Sequence, residues 1–385
     1  MSRKTGRYRV SESHGETVRA FIPHPLPPAR PRLSVEGELA ASLSAAHTAL
    51  AKLDVAGAMI PSTDWFLYGF VRKEAVMSSQ IEGTQATLRD VLTFEATHQS
   101  ARPDDVEEVC NYVEALTYVF EQLRDSKGLP LSMRLLCNAH RILMRGVRGR
   151  DQRPGEVRSS QNWIGGTRPG DALFVPPPPE DVSDALTELE KWLHSDDSLP
   201  ALVRVGLAHV QFETNHPFLD GNGRIGRLLI ALLIAHWDLL DRPLLYLSVA
   251  LRRRREEYYD RLTAVRTDGD WEGWTSFFLE CVREAAEDGV RIAQSLHALL
   301  GTDRRRLFEN QRVTVAALQL LDLLPQHPVV TVTRAADVLG TTPPTARKSI
   351  DLLSDLNILR ETTGKQRDRV YAYQAYMRIL TGEEG

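Results

Sequence analysis

The sequence predicts a mainly α fold: a helical core carrying one β-hairpin flap, followed by a C-terminal winged-helix domain. Three observations predict it. Apolar residues recur at helical spacing from Leu33 to Leu300. One stretch, Gly155 to Pro179, breaks that rhythm with Gly165-Gly166, Pro169-Gly170 and the run Pro176 to Pro179. After Gly301 the pattern becomes helix, turn, helix and two short strands.

Residues 1–32 are polar and carry Pro23, Pro25, Pro27, Pro28 and Pro31. Proline at that density forbids a long helix, so an extended surface segment is expected. Helical residues 33–110 follow. Leu39, Leu43, Ala46, Leu50 and Leu53 mark one helix, and Phe66, Phe70, Val71 and Ala75 a second. Val106, Val109, Val113, Leu116 and Phe120 mark a third, and Leu131 to Met144 a fourth. In the break, Asn162-Trp163-Ile164 and Leu173-Phe174-Val175 flank a glycine-rich turn, the pattern of a hairpin. Helices are then predicted over Val182–Leu193, Ala201–Glu213, Asn222–Leu239, Val249–Val265 and Trp271–Leu300. In the last unit, 311–385, helices are expected over Val313–Leu324, Arg334–Leu339 and Pro344–Leu356, with strands Leu359–Thr362 and Arg369–Tyr373 around Gly364.

Bulk properties narrow the function classes. A chain of 385 residues, 42% hydrophobic and 25% charged, is long enough for more than one domain and fits a soluble globular protein. Its formal net charge of −4 supplies no global basic field toward nucleic acid or a membrane. Cys110, Cys137 and Cys281 are widely spaced and odd in number, which argues against a disulfide framework and for a reducing compartment. The basic start (Arg3, Lys4, Arg7, Arg9) has no apolar segment behind it, and the longest apolar run, Leu228 to Ala235, is far short of the ~20 residues of a membrane helix. The expected location is the cytoplasm.

One segment carries chemistry: His216-Pro217-Phe218-Leu219-Asp220-Gly221-Asn222-Gly223-Arg224-Ile225-Gly226-Arg227. Pro217 stops a helix from running through it. Gly221 and Gly223 permit positive φ and close backbone approach to a ligand. A glycine-rich turn opening a helix aims unpaired N–H groups at one point, which makes an anion site. Arg224 and Arg227, three apart, share a helix face above it. Two guanidinium groups over a nest of amides suit a polyphosphate. Asp220 at the lip is placed to recruit Mg²⁺ beside phosphates, and His216 to take a proton from an attacking hydroxyl. A zinc reading of His209, His216 and Asp220 fails on spacing.

This segment resembles the Fic family motif HPFx(D/E)GNGRxxR and matches it at every fixed position. The resemblance covers roughly residues 111–300. It implies a helical core with a β-hairpin flap, and transfer of AMP from ATP to a Ser, Thr or Tyr hydroxyl of a target protein or of the chain itself. It also implies roles: His216 as general base, Asp220 as Mg²⁺ ligand, Gly221, Asn222, Gly223 and Arg224 as the α/β-phosphate cradle, and Arg227 as the γ-phosphate clamp. Ser78-Ser79-Gln80-Ile81-Glu82-Gly83 is similar to the family's inhibitory pattern (S/T)xxxE(G/N). There Glu82 would pair with Arg227 and hold the fork that should bind the γ-phosphate. The hairpin Gln161–Pro176 resembles the flap that clamps a target by strand addition. Tyr258-Tyr259 resembles the tyrosine pair near the adenosine, one of the two being expected in the core.

The C-terminal unit allows several partners. Its second turn helix carries Thr345, Arg347, Lys348 and Ser349, but also Asp351 and Asp355. From Gln311 to Gly385 nine Lys/Arg face eight Asp/Glu. That balance is thin for neutralising phosphates, so target docking or homodimerisation ranks above DNA binding. Two alternatives to the AMP transferase stay open: removal of AMP or transfer of another phosphate-containing group, and a nucleotide-sensing transcriptional regulator that binds DNA through the winged helix.

Overall fold

A computed structural model describes residues 3–13, 15–58, 63–147 and 152–382. The ends of the predicted units at 1, 2 and 383–385 therefore lie outside the described residues.

The first 23 residues contain a feature the sequence reading missed. Strands β1 (Gly6–Ser13) and β2 (Glu16–Pro23) pair antiparallel in a regular ladder. The segment is extended, as expected, but it is no surface strap: Val18, Ala20, Phe21 and Ile22 are buried. Gly15, at φ 77°, makes the turn. Gly15 between Tyr8/Val10 and the alternating Val18/Ala20/Ile22 was the available signal, and the prolines behind it obscured it.

The helices then follow: α1 (Gly37–Ala58), α2 (Thr63–Ile81), α3 (Leu88–Thr97), α4 (Pro103–Arg124) and α5 (Met133–Leu143). Helix α3 was not predicted. Its start is a capping box in which the Thr87 hydroxyl accepts from the Asp90 N–H and the Asp90 carboxylate accepts from the Thr87 N–H. The predicted hairpin over 161–176 closes through one antiparallel bridge, Ile164 with Phe174, rather than a ladder, and a 3₁₀ turn (Pro169–Asp171) forms its tip. Strand β2 lies along it: the Phe21 N–H donates to the Val175 carbonyl at 2.9 Å.

The centre is built from α6 (Pro179–Leu193), α7 (Ala201–Asn215) and α8 (Asn222–His236). Residues Leu202 to Asn215 of α7 are all buried. A helix buried on every face lies inside the fold, and α7 packs on α8, α11 and α6. The single helix expected over Val249–Val265 is two, α9 (Ser248–Arg253) and α10 (Arg255–Asp268). The chain leaves helical geometry at Arg254 (φ −111°, ψ 39°), whose guanidinium is held by Glu257, Glu280 and Glu284. Helix α11 (Trp271–Phe308) continues through Gly301 and packs along α1.

Beyond it lie α12 (Val315–Leu323), β3 (Val329–Thr331), α13 (Val332–Leu339), α14 (Pro343–Asp355), β4 (Arg360–Glu361), β5 (Val370–Ala372) and α15 (Gln374–Thr381). The three strands form an antiparallel sheet in the order β3-β5-β4. β3 and α15 were not foreseen. The unit is welded to the rest: the Tyr373 hydroxyl donates to Asp303 of α11 at 2.6 Å, and a Cβ on Gly69 of α2 would meet Leu380 at 2.8 Å. Buried residues of both regions join one hydrophobic cluster.

Among the described residues no helix is long and apolar enough to cross a membrane. The three cysteines are free.

Candidate active site

The site forms where α7 ends and α8 begins. His216 caps α7 in the left-handed region, φ 46°, its N–H still donating to the Phe212 carbonyl at 2.9 Å. Pro217 cannot extend the helix, so the chain turns. Phe218 drops fully into the core and stacks on His140, ring centres 3.9 Å apart and planes within 6°. The side chain of Asn222 closes the turn from the far side. Its Oδ1 accepts from the Phe218 N–H at 2.8 Å and its Nδ2 donates to the Phe218 carbonyl at 2.7 Å. Gly221 precedes α8 at φ 75°, where a Cβ would press on Met144 and His140.

Two buried side chains outside the motif brace this turn, and neither was found in the sequence. The His140 Nδ1 accepts from the Gly155 N–H at 2.8 Å, which leaves Nε2–H to donate to the Asp220 carbonyl at 3.0 Å. Arg158 donates from Nε to the His216 carbonyl at 2.8 Å and also reaches the carbonyls of Ser160, Pro177 and Asn215. A lone His on an apolar helix face and a lone Arg in a loop carry no spacing signal, so sequence alone had no route to them.

The imidazole of His216 is half-buried. Burial, and then the neighbouring Arg266 and Arg158, push it down to about 3. It is therefore neutral at physiological pH. Nδ1 stands 3.4 Å from the Glu213 carbonyl, a partner that only a protonated Nδ1 can use. The proton on that side leaves Nε2 with its lone pair, the form a base needs.

Arg224 and Arg227 are both buried beneath the turn. Arg224 lies 3.5 Å from the Glu108 carboxylate and 3.9 Å from Asp220. Arg227 is held from α2: Nε donates to the Ser78 hydroxyl at 2.8 Å, and one terminal nitrogen donates to the Ser78 carbonyl at 3.0 Å and to Glu82 Oε1 at 2.8 Å. The same Glu82 oxygen lies 2.2 Å from where a Cβ on Gly223 would sit. A carboxylate thus occupies the place over the α8 N-terminus that suits an anion. Burial would push the Glu82 carboxyl up, but Arg227, with Arg224 and His216 behind it, brings it below the ordinary value. Gly83 follows at φ 99°, a conformation that favours glycine and ends α2 there. Arg255 of α10 donates to the Ile81 carbonyl at 3.0 Å and pins that end.

The remaining predicted residues separate. Asp220 is exposed at the mouth, one oxygen accepting from the Gly221 N–H at 2.6 Å. Tyr259 is 37% exposed beside Arg255, whereas Tyr258 is the core member of the pair. The Tyr258 hydroxyl donates to His209 Nε2 at 2.8 Å, and His209 Nδ1–H donates to the Gly226 carbonyl at 2.9 Å. His209 is thus a satisfied core histidine, pushed down to about 3 by burial. Asn222 spends its amide on the loop itself and leaves only backbone groups for a ligand.

The chemistry of Asp220 fits Mg²⁺ in one way only. Among the described residues no group of three His, Cys, Asp or Glu could hold a metal. A lone exposed carboxylate beside a helix N-terminus that suits an anion would fit an ion that takes one protein oxygen and completes its shell with phosphate and water.

Comparison with known proteins points to one family. The model of the Fic/DOC family matches residues 130–234, and that of the Fic/DOC family N-terminal region matches residues 40–121. A protein adenylyltransferase Fic of Drosophila grimshawi is 26% identical over 212 residues, which is 54% of this chain and 40% of that protein. The chain thus matches well under half the length of that curated relative. Among solved structures, a Fic family protein of Desulfovibrio desulfuricans G20 aligns over 89% of this chain and 98% of its own, with TM-score 0.56 and 21% identity. A Fic-domain-containing signalling protein of Bacteroides thetaiotaomicron aligns over 66% and 97%, with TM-score 0.53 and 16% identity.

Proposed function

We propose that this chain, whose residues 130–234 match the model of the Fic/DOC family, is a protein adenylyltransferase, moving AMP from ATP to a Ser, Thr or Tyr hydroxyl of a target protein or of itself. The observation that carries the reading is the neutral, braced His216 beside a glycine-opened helix N-terminus underlain by Arg224 and Arg227. The Gly221–Gly223 backbone and Arg224 take the α- and β-phosphates, and Arg227 the γ-phosphate. Nε2 of His216 accepts the proton of the incoming hydroxyl. The hydroxyl oxygen bonds to the α-phosphorus, the bond to the β-phosphate bridging oxygen breaks, and pyrophosphate leaves. Mg²⁺, held by Asp220 and the phosphates, would neutralise the charge of that leaving group.

The same site supports a built-in restraint. With Glu82 on Arg227, the γ-phosphate loses its clamp and ATP lies with its α-phosphorus out of line for His216. Tyr259 faces the adenosine side, and Tyr258 supports it from the core.

We read the C-terminal sheet with α12, α13 and α14 as a winged helix used for docking a target or a second copy. Its charges support this over DNA: Arg347 is paired with Asp351 at 3.1 Å and Arg312 with Asp355 at 2.7 Å, both acids on α14.

The deciding experiment incubates the protein with ATP and Mg²⁺ and weighs it intact. Wild type and Glu82→Gly should gain AMP mass on themselves or on an added lysate partner, and His216→Ala should not. No adduct from the Glu82→Gly protein, or an equal one from His216→Ala, defeats the reading.

A further inference from the structure

A cavity of about 800 Å³ lies away from the catalytic turn, between α2, α9, α11 and α15. Its wall carries five cations, Lys73, Arg252, Arg253, Arg291 and Arg378, against one acid, Asp288. Asp288 already serves Arg253 at 2.9 Å and also pairs with Arg291. Glu284 adds a weaker contact to Arg253 at 3.8 Å. Among the described residues Arg252 and Arg378 have no anionic partner.

Lys73 is the decisive member. It is only 6% exposed, and among the described residues nothing accepts a hydrogen bond from its ammonium. Burial, and then repulsion from Arg253, pushes it down to about 8. A buried ammonium is costly unless an anion meets it. Among the described residues nothing in the fold supplies one, and the Lys73 ammonium opens onto the cavity it lines. Met77, Ile292 and Ile379 line the rest of the wall, so the cavity offers an apolar side beside its charged one.

We infer that this cavity is a second anion site, binding a phosphorylated small molecule of nucleotide size: two or more phosphate charges against Lys73, Arg252 and Arg378, and an apolar body against Met77 and Ile379. It is distinct from the turn at His216, and its existence does not depend on the adenylyl-transfer reading. Lys73 and Met77 are one turn apart on α2, and Ser78 follows Met77 directly. A ligand in the cavity therefore bears on the helix that holds Arg227.

Two measurements on the full chain test this. Titration calorimetry with inorganic tripolyphosphate, and separately with ADP, is run on wild type, on Lys73→Met and on Arg252→Glu/Arg378→Glu. Arg252 and Arg378 are exposed, so their exchange leaves the core intact. Both variants should weaken tripolyphosphate binding at least tenfold, while Arg224→Ala, which lies at the catalytic turn and lines no part of the cavity, leaves this binding unchanged. Acylation of Lys73, followed by peptide mass spectrometry, should fall about tenfold when tripolyphosphate is added to wild type. Binding unchanged in both cavity variants, or Lys73 acylated at one rate with and without the anion, overturns the site. Binding lost only in Arg224→Ala would place the anion at the catalytic turn instead. A polyglutamate peptide protecting Lys73 as well as tripolyphosphate does would overturn the phosphate assignment.

Discussion

Glu82 Oε1 lies 2.8 Å from a terminal nitrogen of Arg227, and Gly223 is the residue that lets it come so near. The carboxylate reaches across from α2 onto the first turn of α8, two elements far apart in sequence. The Ser78 hydroxyl and carbonyl also accept from Arg227, so losing Glu82 removes its ion pair but leaves the guanidinium hydrogen-bonded.

Glu82→Gly is therefore expected to fold normally and to raise incorporation of radiolabel from α-labelled ATP at least tenfold. Unchanged or lower labelling by the variant removes Glu82 from any restraining role.

The rate of labelling should be nearly flat between about pH 5 and pH 8. A surface imidazole would gain its proton over that range and lose activity toward the acid side. The His216 imidazole, held down to about 3 by burial, does not. A tenfold loss of rate between pH 7 and pH 5 at constant ATP, with the fold intact by circular dichroism, would contradict the buried, neutral base.

Glu213 is 6% exposed, and burial pushes its carboxyl up to about 7, Arg227 opposing this only in part. Its folded value lies above its unfolded one. Its contribution is thus complete below about pH 4.5 and is lost as the pH rises through 7. A gap of about two and a half units corresponds to about 3 kcal/mol. Replacing the group with a neutral amide, Glu213→Gln, should stabilise the protein at pH 8 by up to that amount and change little at pH 4.5. Urea unfolding at the two pH values checks it. Equal effects at both would mean the carboxyl is not held protonated.

Asn222→Ala should cost about 2 kcal/mol, because it removes the partner of the buried Phe218 N–H and one of two donors to its carbonyl. It should also abolish labelling by letting the turn lose its shape, although no Asn222 side-chain atom remains free for a phosphate. A variant of full stability that still lost labelling would instead place the amide on the ligand.

The C-terminal unit should not retain duplex DNA at physiological salt in a mobility-shift experiment. Arg347 and Arg312 are engaged by Asp351 and Asp355, and nine Lys/Arg set against eight Asp/Glu over 311–385 give a net charge too thin to hold a duplex. A specific shift that survives physiological salt would reverse the preference for protein docking.

How far the sequence could be read depended on range. The turn from His216 to Arg227 was legible because its chemistry is local: a proline, two glycines and two arginines at fixed spacing. The encounter of Glu82 with Arg227 needed a family resemblance, since nothing in the residues between specifies that α2 and α8 meet. His140 and Arg158 were invisible because each acts through backbone carbonyls, a role any buried donor can fill. The β1–β2 hairpin was different: its alternation around Gly15 was local and legible, and the prolines behind it masked it. The Tyr258-Tyr259 pair was expected to split between core and site, but which member turned inward was decided by His209, a full helix away. Arg254 broke a predicted helix for the same kind of reason, three acids on two helices outweighing local propensity.

Helix α11 is 38 residues long, about 57 Å at the rise of an α-helix, and it runs unbroken from the core to the C-terminal sheet. With Asp303 bonded to Tyr373 at its far end, it behaves as a strut rather than a tether. Whatever grips the distal unit is thereby carried at a constant reach and bearing from His216. Substrate choice in such a design would be surveyed by geometry: a hydroxyl qualifies by its offset from the gripping point more than by the residues flanking it.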